Sequence, residues 1–268
     1  MTTLYVTHNA GFFSCCSVKL DNITRFTNIR RRLPAVVDGS AQFQWYKNTG
    51  EGDVTLKYFE HPNNVNPPIP ILSATSPSIP FRHAYQFVPY ERLNYSLIVP
   101  LVKKYFTPSL EIREMIQHME EKYQLDYSNL CVLFYRGNDK VTETPLCSYE
   151  EYLTYAKQLL EKHPEMKFLI QSDETEFLHF MQQHFPNSLV FYDEIRHMPK
   201  QNSTVDIRMK ENIELFSKYY LAITIIMSKC QYVVCGSGNC SIWIMLYRGH
   251  CRGLFQNLLG KWLVTPHE

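Results

Sequence analysis

An alternation in the second half of the chain narrows the choice of fold more than anything else in it. Short apolar runs at 130–135, 167–171, 189–192 and 232–235 are separated by stretches whose apolar residues recur at helical spacing. Parallel strands need a crossover, and a helix is the usual one, so this pattern predicts a parallel α/β sheet. The segment 148–162 shows the helical signal well. Leu153, Ala156, Leu159 and Leu160 share one face, and Ser148 with Glu151 makes a capping-box pair. Phe177, Leu178 and Met181 mark the next helix, with Ser172 or Asp173 as its expected cap. The stretch 197–206 is polar and reads as a loop, 210–227 as a long helix, and Trp243, Ile244 and Leu246 as part of a further helix ended by Arg248 and Gly249.

The first half is less regular. A strand is expected at 4–7. Asp21 is expected to cap a helix that carries Ile23, Phe26 and Ile29 and stops at Pro34. A second strand at 35–37 would run into Asp38, Gly39 and Ser40, leaving His8, Asn9 and Asp38 near strand ends, where they suit either a polar acceptor or simple turn chemistry. Periodicity fades over 47–100, which holds Pro62, Pro67, Pro68, Pro70, Pro77 and Pro80, and this stretch is expected to form an irregular wall of a cleft. Ser109 caps a helix with Ile112, Met115, Ile116 and Met119 on its apolar face, ending near Tyr123. The expected division is 1–122 and 123–268.

Composition excludes several function classes. Lys and Arg number 27 against 26 Asp and Glu, for a net charge of +1, so no general nucleic-acid surface is expected. The run Arg30, Arg31, Arg32 suits the solvated end of a helix. No apolar stretch is long enough to span a membrane, and the amino terminus lacks the pattern of a secretory signal. The eight cysteines contain no CxxC pair and read as reduced thiols in a cytoplasmic protein. The glycosylation-type matches at Asn22, Asn94, Asn202 and Asn239 then read as accidents. No pair of aspartates flanks a short spacer, so no metal is expected. His8, His61 and His83 look isolated.

The chemistry is expected where strands end. In an open α/β sheet, ligands bind at the carboxyl ends of the strands. The run at 130–135 stops in Arg136, Gly137, Asn138, Asp139 and Lys140, with Glu143 three residues on. Arg136 and Lys140 are placed to hold phosphate, and Glu143 to accept a proton. The run at 232–235 enters Gly236, Ser237, Gly238, Asn239, Cys240 and Ser241, whose amides would sit at a helix amino terminus. Asp173 lies at a third strand end. Each group also has a local alternative: Asp139 pairing with Lys140, Asp173 serving only as a cap, and the glycine turn being purely structural.

Residues 136–143, 149–153, 171–173 and 233–241 together resemble the fucosyltransferases of the core α1,6-, protein O- and nodulation type. The resemblance covers about 127–250. It implies a GT-B-like fold: two Rossmann-like parallel-sheet domains facing a cleft, the amino-terminal one small and irregular. Residues 1–122 would form the acceptor side and 123–268 the donor side. It implies metal-independent, inverting transfer of fucose from GDP-fucose to a glycan hydroxyl, with no cofactor besides the donor substrate. Carried across, Arg136 would hold the β-phosphate and Asp139 and Lys140 would shape its loop. Glu143 would be the base, Asp173 would lie near the nucleotide, and Ser237, Gly238, Asn239, Cys240 and Ser241 would meet the diphosphate. The chain departs from the family at Phe134, where a histidine is expected, and at Ile223, where an aspartate is. Those departures also suit a non-catalytic nucleotide- or carbohydrate-binding protein on the same fold.

Overall fold

The computed structural model describes residues 2–60 and 77–267. The first half holds β1 (Thr3–His8), α1 (Phe12–Arg30), β2 (Val36–Gln42), α2 (Thr55–Tyr58), β3 (Phe59–Glu60), α3 (Tyr95–Tyr105), β4 (Thr107–Pro108) and α4 (Leu110–Tyr123). The second holds β5 (Leu130–Tyr135), α5 (Tyr149–Lys162), β6 (Lys167–Ser172), α6 (Thr175–His184), α7 (Val205–Arg208), α8 (Ile213–Lys229), β7 (Tyr232–Gly236), α9 (Asn239–Arg248), β8 (Leu254–Leu258) and β9 (Lys261–Thr265). The architecture is a GT-B-like pairing of two α/β units, each with parallel strands.

The second half is built on a five-stranded sheet in the order β6-β5-β7-β8-β9, parallel except for the last pair. Every residue of β5 is buried, as expected of a central parallel strand covered on both faces. Its side chains divide by the strand period. Leu130, Val132 and Phe134 join one core with α8 and α9, while Cys131, Leu133 and Tyr135 join another with α5 and α6. The chain leaves β5 towards β6 and returns to the other side of β5 as β7, so a switch point opens between β5 and β7. In register, Phe134 faces both Gln171 and Cys235. The three strands therefore end level, and Arg136, Asp173 and Ser237 emerge together.

The first half packs aromatic residues around a two-stranded parallel sheet, β1 with β2. Phe12 lies 4.9 Å from Tyr58 between ring centroids, and Trp243 of α9 reaches into the same cluster, 4.7 Å from Phe106. The Trp243 indole donates to Ser17 Oγ of α1 at 2.9 Å. One apolar core thus runs from α1 to α9.

Several local expectations are corrected. α1 starts at Phe12, so Asp21 lies mid-helix, where it accepts from the His83 amide (3.1 Å) instead of capping. The early turns of α1 are apolar on more than one face, because Phe12, Phe13, Cys15 and Cys16 are all buried, and this hid the helix period. β2 continues through Asp38 to Gln42, so Asp38 is not at a strand end. The run at 189–192 makes a single parallel bridge, Leu169 to Leu189. Within 197–206 the short helix α7 begins. The helix α3, with Pro100 inside it, and the hairpin β8–β9, which turns on Leu259 and Gly260 with positive φ, had no clear signal. Ser109 and the Ser148–Glu151 capping box form as expected. Of the proline-rich stretch, Pro62, Pro67, Pro68 and Pro70, together with His61, lie outside the described residues.

Candidate active site

The loop after β5 is held from below by Asp173. Arg136 donates from Nε to Asp173 Oδ2 (2.8 Å), from one terminal nitrogen to the Tyr220 hydroxyl (2.9 Å) and from the other to Asp139 Oδ1 (2.9 Å). A hydrogen on each terminal nitrogen stays available for a ligand. The Gly137 amide donates to Asp173 Oδ1 (3.1 Å), and the Asn138 side chain to the Asp173 carbonyl (2.6 Å). Asp173 is therefore the anchor of this loop, and the α6 cap assigned to it does not form. Burial disfavours the Arg136 charge, but Asp173 and Asp139 outweigh it and hold its pKa above the ordinary arginine value. Burial likewise pushes Asp139 up, yet Arg136 and Lys140 bring it below the usual carboxylate range. Lys140 pairs with Glu143 rather than with Asp139. A Cβ at Gly137 would lie 2.0 Å from Glu174 Oε2 and 2.5 Å from the Tyr135 ring, so both buried side chains would have to shift to admit one. Glu174 is fully buried with neither carboxylate oxygen hydrogen-bonded, and desolvation raises its pKa.

The turn into α9 forms the facing wall. Both of its serines line the cavity, and each hydroxyl spends its hydrogen on a backbone carbonyl. Ser237 Oγ donates to the Asn257 carbonyl (2.8 Å), and Ser241 Oγ donates to the Gly236 carbonyl. The Gly238 amide is taken by Tyr90 Oη at 3.0 Å. What this turn offers a ligand is the first-turn amides of α9 and the side chain of Asn239, whose Oδ1 is buried and unpartnered. Gly238 leaves room for Lys140, whose Cε would be 3.4 Å from a Cβ at that position. Arg136, Asp139, Lys140, Glu143 and the 236–241 turn all line one cavity of about 320 Å³.

The first half closes that cavity with the turn into α1. His8 and His83 are not isolated: His8 Nε2 lies 2.9 Å from Ser14 Oγ, and Ser14 Oγ lies 3.1 Å from His83 Nε2. Burial lowers both histidine pKa values. Ser14 and His83 line the cavity opposite Arg136. Sequence reasoning missed this trio because its members lie 6 and 69 positions apart and carry no local pattern. Tyr46 fixes the same turn, accepting from the Phe12 amide (2.7 Å) and donating to Asp206 Oδ2 (2.6 Å).

A smaller cavity of about 70 Å³ lies behind Arg136, and Phe134 and Ile223, the two departures, both line it. Among the described residues no group of three or more His, Cys, Asp or Glu side chains is placed to hold a metal ion. No described helix is long and apolar enough to cross a membrane.

The fold is a two-unit α/β architecture with parallel sheets that resembles the GT-B fold. The crystal structure of the fucosyltransferase NodZ from Bradyrhizobium matches it with a TM-score of 0.54 at 14% identity, over 100% of this chain and 99% of that one. NodZ α-1,6-fucosyltransferase co-crystallized with GDP gives 0.51 at 15%, over 98% and 97%, and the same enzyme soaked with GDP-fucose gives 0.51 at 13%, over 99% and 99%. At such identities the likeness is one of fold. No family model and no curated protein matches the chain by sequence.

Proposed function

We propose that this protein is an inverting, metal-independent glycosyltransferase that moves a sugar from a nucleoside-diphosphate donor to a hydroxyl of a glycan. The observation that carries the reading is the meeting, in one cavity, of two cationic side chains, the amide end of α9 and a carboxylate. In the reaction, the acceptor oxygen forms a bond to the anomeric carbon as the bond from that carbon to the phosphate oxygen breaks. The proton passes to Glu143, and the electron pair leaves with the diphosphate. Arg136 and the α9 amides offset the departing charge, and Asp173 and Asp139 orient Arg136. Lys140 lies beside Gly238 and is the partner of Glu143; a phosphate that takes over the Lys140 ammonium frees Glu143 to act as base. GDP-fucose is the donor that the resemblance implies. All eight cysteines are free thiols, which supports a reducing, cytoplasmic setting.

Release of nucleoside diphosphate across a panel of sugar donors and glycan acceptors, with and without a chelator, tests this. No binding or turnover with any donor in a folded sample sinks it. Glu143→Gln is expected to keep donor binding and lose transfer by about 10²–10⁴-fold. A fully active variant removes Glu143 from the role of base. A non-catalytic binding protein is the second reading, favoured by the hydroxyls of Ser237 and Ser241, which give their hydrogens to backbone carbonyls. Donor binding without transfer to any acceptor supports it.

A further inference from the structure

Three side-chain amides in the larger cavity carry polar atoms that the protein leaves unused. Gln86 and Asn257 are 7% and 4% exposed, and both line the cavity together with Asn239. Gln86 Oε1, Asn239 Oδ1 and Asn257 Nδ2 are buried and make no hydrogen bond. The setting of Asn257 follows from its other atom: Oδ1 accepts from the Gly260 amide (3.2 Å), which leaves Nδ2 as the free donor. A buried amide atom left unpaired is costly, and such groups are normally matched by a partner or a ligand. Here they form a set of two acceptors and one donor in one cavity.

The turn from Gly236 to Asn239 gathers the set. Asn239 belongs to the turn. The Ser237 amide donates to the Asn257 carbonyl (2.8 Å). Tyr90 Oη donates to the Gln86 carbonyl (3.0 Å) and accepts from the Gly238 amide (3.0 Å). Lys140 lies beside Gly238 and is paired with Glu143, so the carboxylate assigned as base stands at the same turn. The other carboxylates of the cavity are engaged: Asp139 by Arg136, and Asp206 by Tyr46 and Arg196. A phosphate or carboxylate oxygen has no hydrogen to give and cannot satisfy Gln86 Oε1 or Asn239 Oδ1. A hydroxyl both donates and accepts, and neighbouring hydroxyls on one ring can meet all three atoms.

We infer that Gln86, Asn239 and Asn257 hold the acceptor sugar, and that this sugar is neutral. Its hydroxyls donate to Gln86 and Asn239 and accept from Asn257, with the reacting hydroxyl left to Glu143. The carboxylate of an acidic sugar would meet two carbonyl oxygens and Glu143. The inference rests on the glycosyltransferase reading and names the class of its acceptor. The three amides act through binding; they are specificity residues and take no part in the proton transfer.

The test is saturation-transfer NMR on the full chain with pyrophosphate present to occupy the cationic wall. The probes are the methyl glycosides of glucose, galactose, mannose, N-acetylglucosamine and glucuronic acid. At least one neutral glycoside is expected to bind, and the glucuronide at least about tenfold more weakly than the best of them. Gln86→Met and Asn257→Asp should each weaken the neutral glycoside by about tenfold or more; the aspartate keeps the acceptor for the Gly260 amide and removes only the donor. Pyrophosphate binding to Gln86→Met should be unchanged. No binding by any neutral glycoside, a glucuronide that binds as well as they do, or variants with undiminished binding overturn the inference while leaving the transferase reading intact. Variants that lose binding of a nucleotide sugar but keep that of the glycoside place the amides on the donor's sugar, which also overturns it. Absence of binding by pyrophosphate and by every nucleotide sugar overturns the transferase reading and this inference with it. Should either variant fail to fold, the other variant and the ranking of glycosides on the parent chain decide.

Discussion

Two strand-to-helix turns face the same cavity and are finished in different ways. After β1 the chain turns at Gly11 into α1, and after β7 it turns at Gly238 into α9. At the α1 turn the first amide is taken by Tyr46, and the side chains alongside are Ser14 and His83, both neutral given the lowered histidine pKa. At the α9 turn each serine hydroxyl spends its hydrogen on a backbone carbonyl, and the neighbours are Lys140 and Arg136. A helix amino terminus attracts an anion only weakly by itself. The side chains beside it decide what it binds. On the proposed transferase reading, cationic neighbours fit the α9 turn for a diphosphate and neutral hydrogen-bonding neighbours fit the α1 turn for sugar hydroxyls.

The sharpest way to break this contrast is Arg136→Ala. It leaves the buried Asp173 without its cation and should cost about 3 kcal/mol in a denaturant melt, with donor binding lost. A variant as stable as the parent would mean that the charged wall is not organised by this pair. Next is Gly137→Ala, expected to cost about 1–3 kcal/mol because its Cβ collides with Glu174. Adding Glu174→Ala should recover part of the loss; no recovery would place the strain elsewhere.

At the α1 turn the effects are smaller. Tyr46→Phe removes both hydrogen bonds of one hydroxyl and should cost about 1–2 kcal/mol, read as a shift in melting midpoint. It also frees the Phe12 amide, so tighter binding of a simple anion by the variant would show that Tyr46 keeps this turn neutral. The smallest effect concerns pH. His8 and His83 start from 6.5 and are lowered by burial, so below that pH the unfolded chain binds protons that the folded one refuses. Their contribution to stability is complete above 6.5 and is lost as pH falls through that value. His83→Gln should flatten the slope of stability against pH in this window, and an unchanged slope would assign it to other groups. His250, lowered to about 4 by burial first, is the natural control.

The two turns were not equally legible in the sequence. The α9 turn announces itself, because Gly236 to Ser241 follows a strand whose four residues from Tyr232 to Cys235 are strongly apolar. Arg136 to Glu143 is marked in the same way after β5. The α1 turn was obscured because its helix starts with Phe12 and Phe13, which read as a loop or strand end, and because Asp21 imitates a cap. The roles of single atoms were not legible in either turn. Ser237 and Ser241 suggest hydroxyls offered to a ligand, yet both are consumed by backbone carbonyls.

By itself the sequence determined the parallel sheet of the second half, the helix caps at Ser109 and Ser148, and the ends of β5, β6 and β7 as the places where polar groups gather. These follow from periodicity and capping, which act between residues a few positions apart. Only the tertiary structure decided the rest. Asp173 anchors Arg136 across 37 positions, Ser14 meets His83 across 69, and Tyr46 meets Asp206 across 160. The cavity behind Arg136 exists because Gln171, Phe134 and Ile223 are brought together by strand register and by the packing of α8 on the sheet. Contacts of this kind depend on how whole elements pack, and no window of neighbouring residues carries that information.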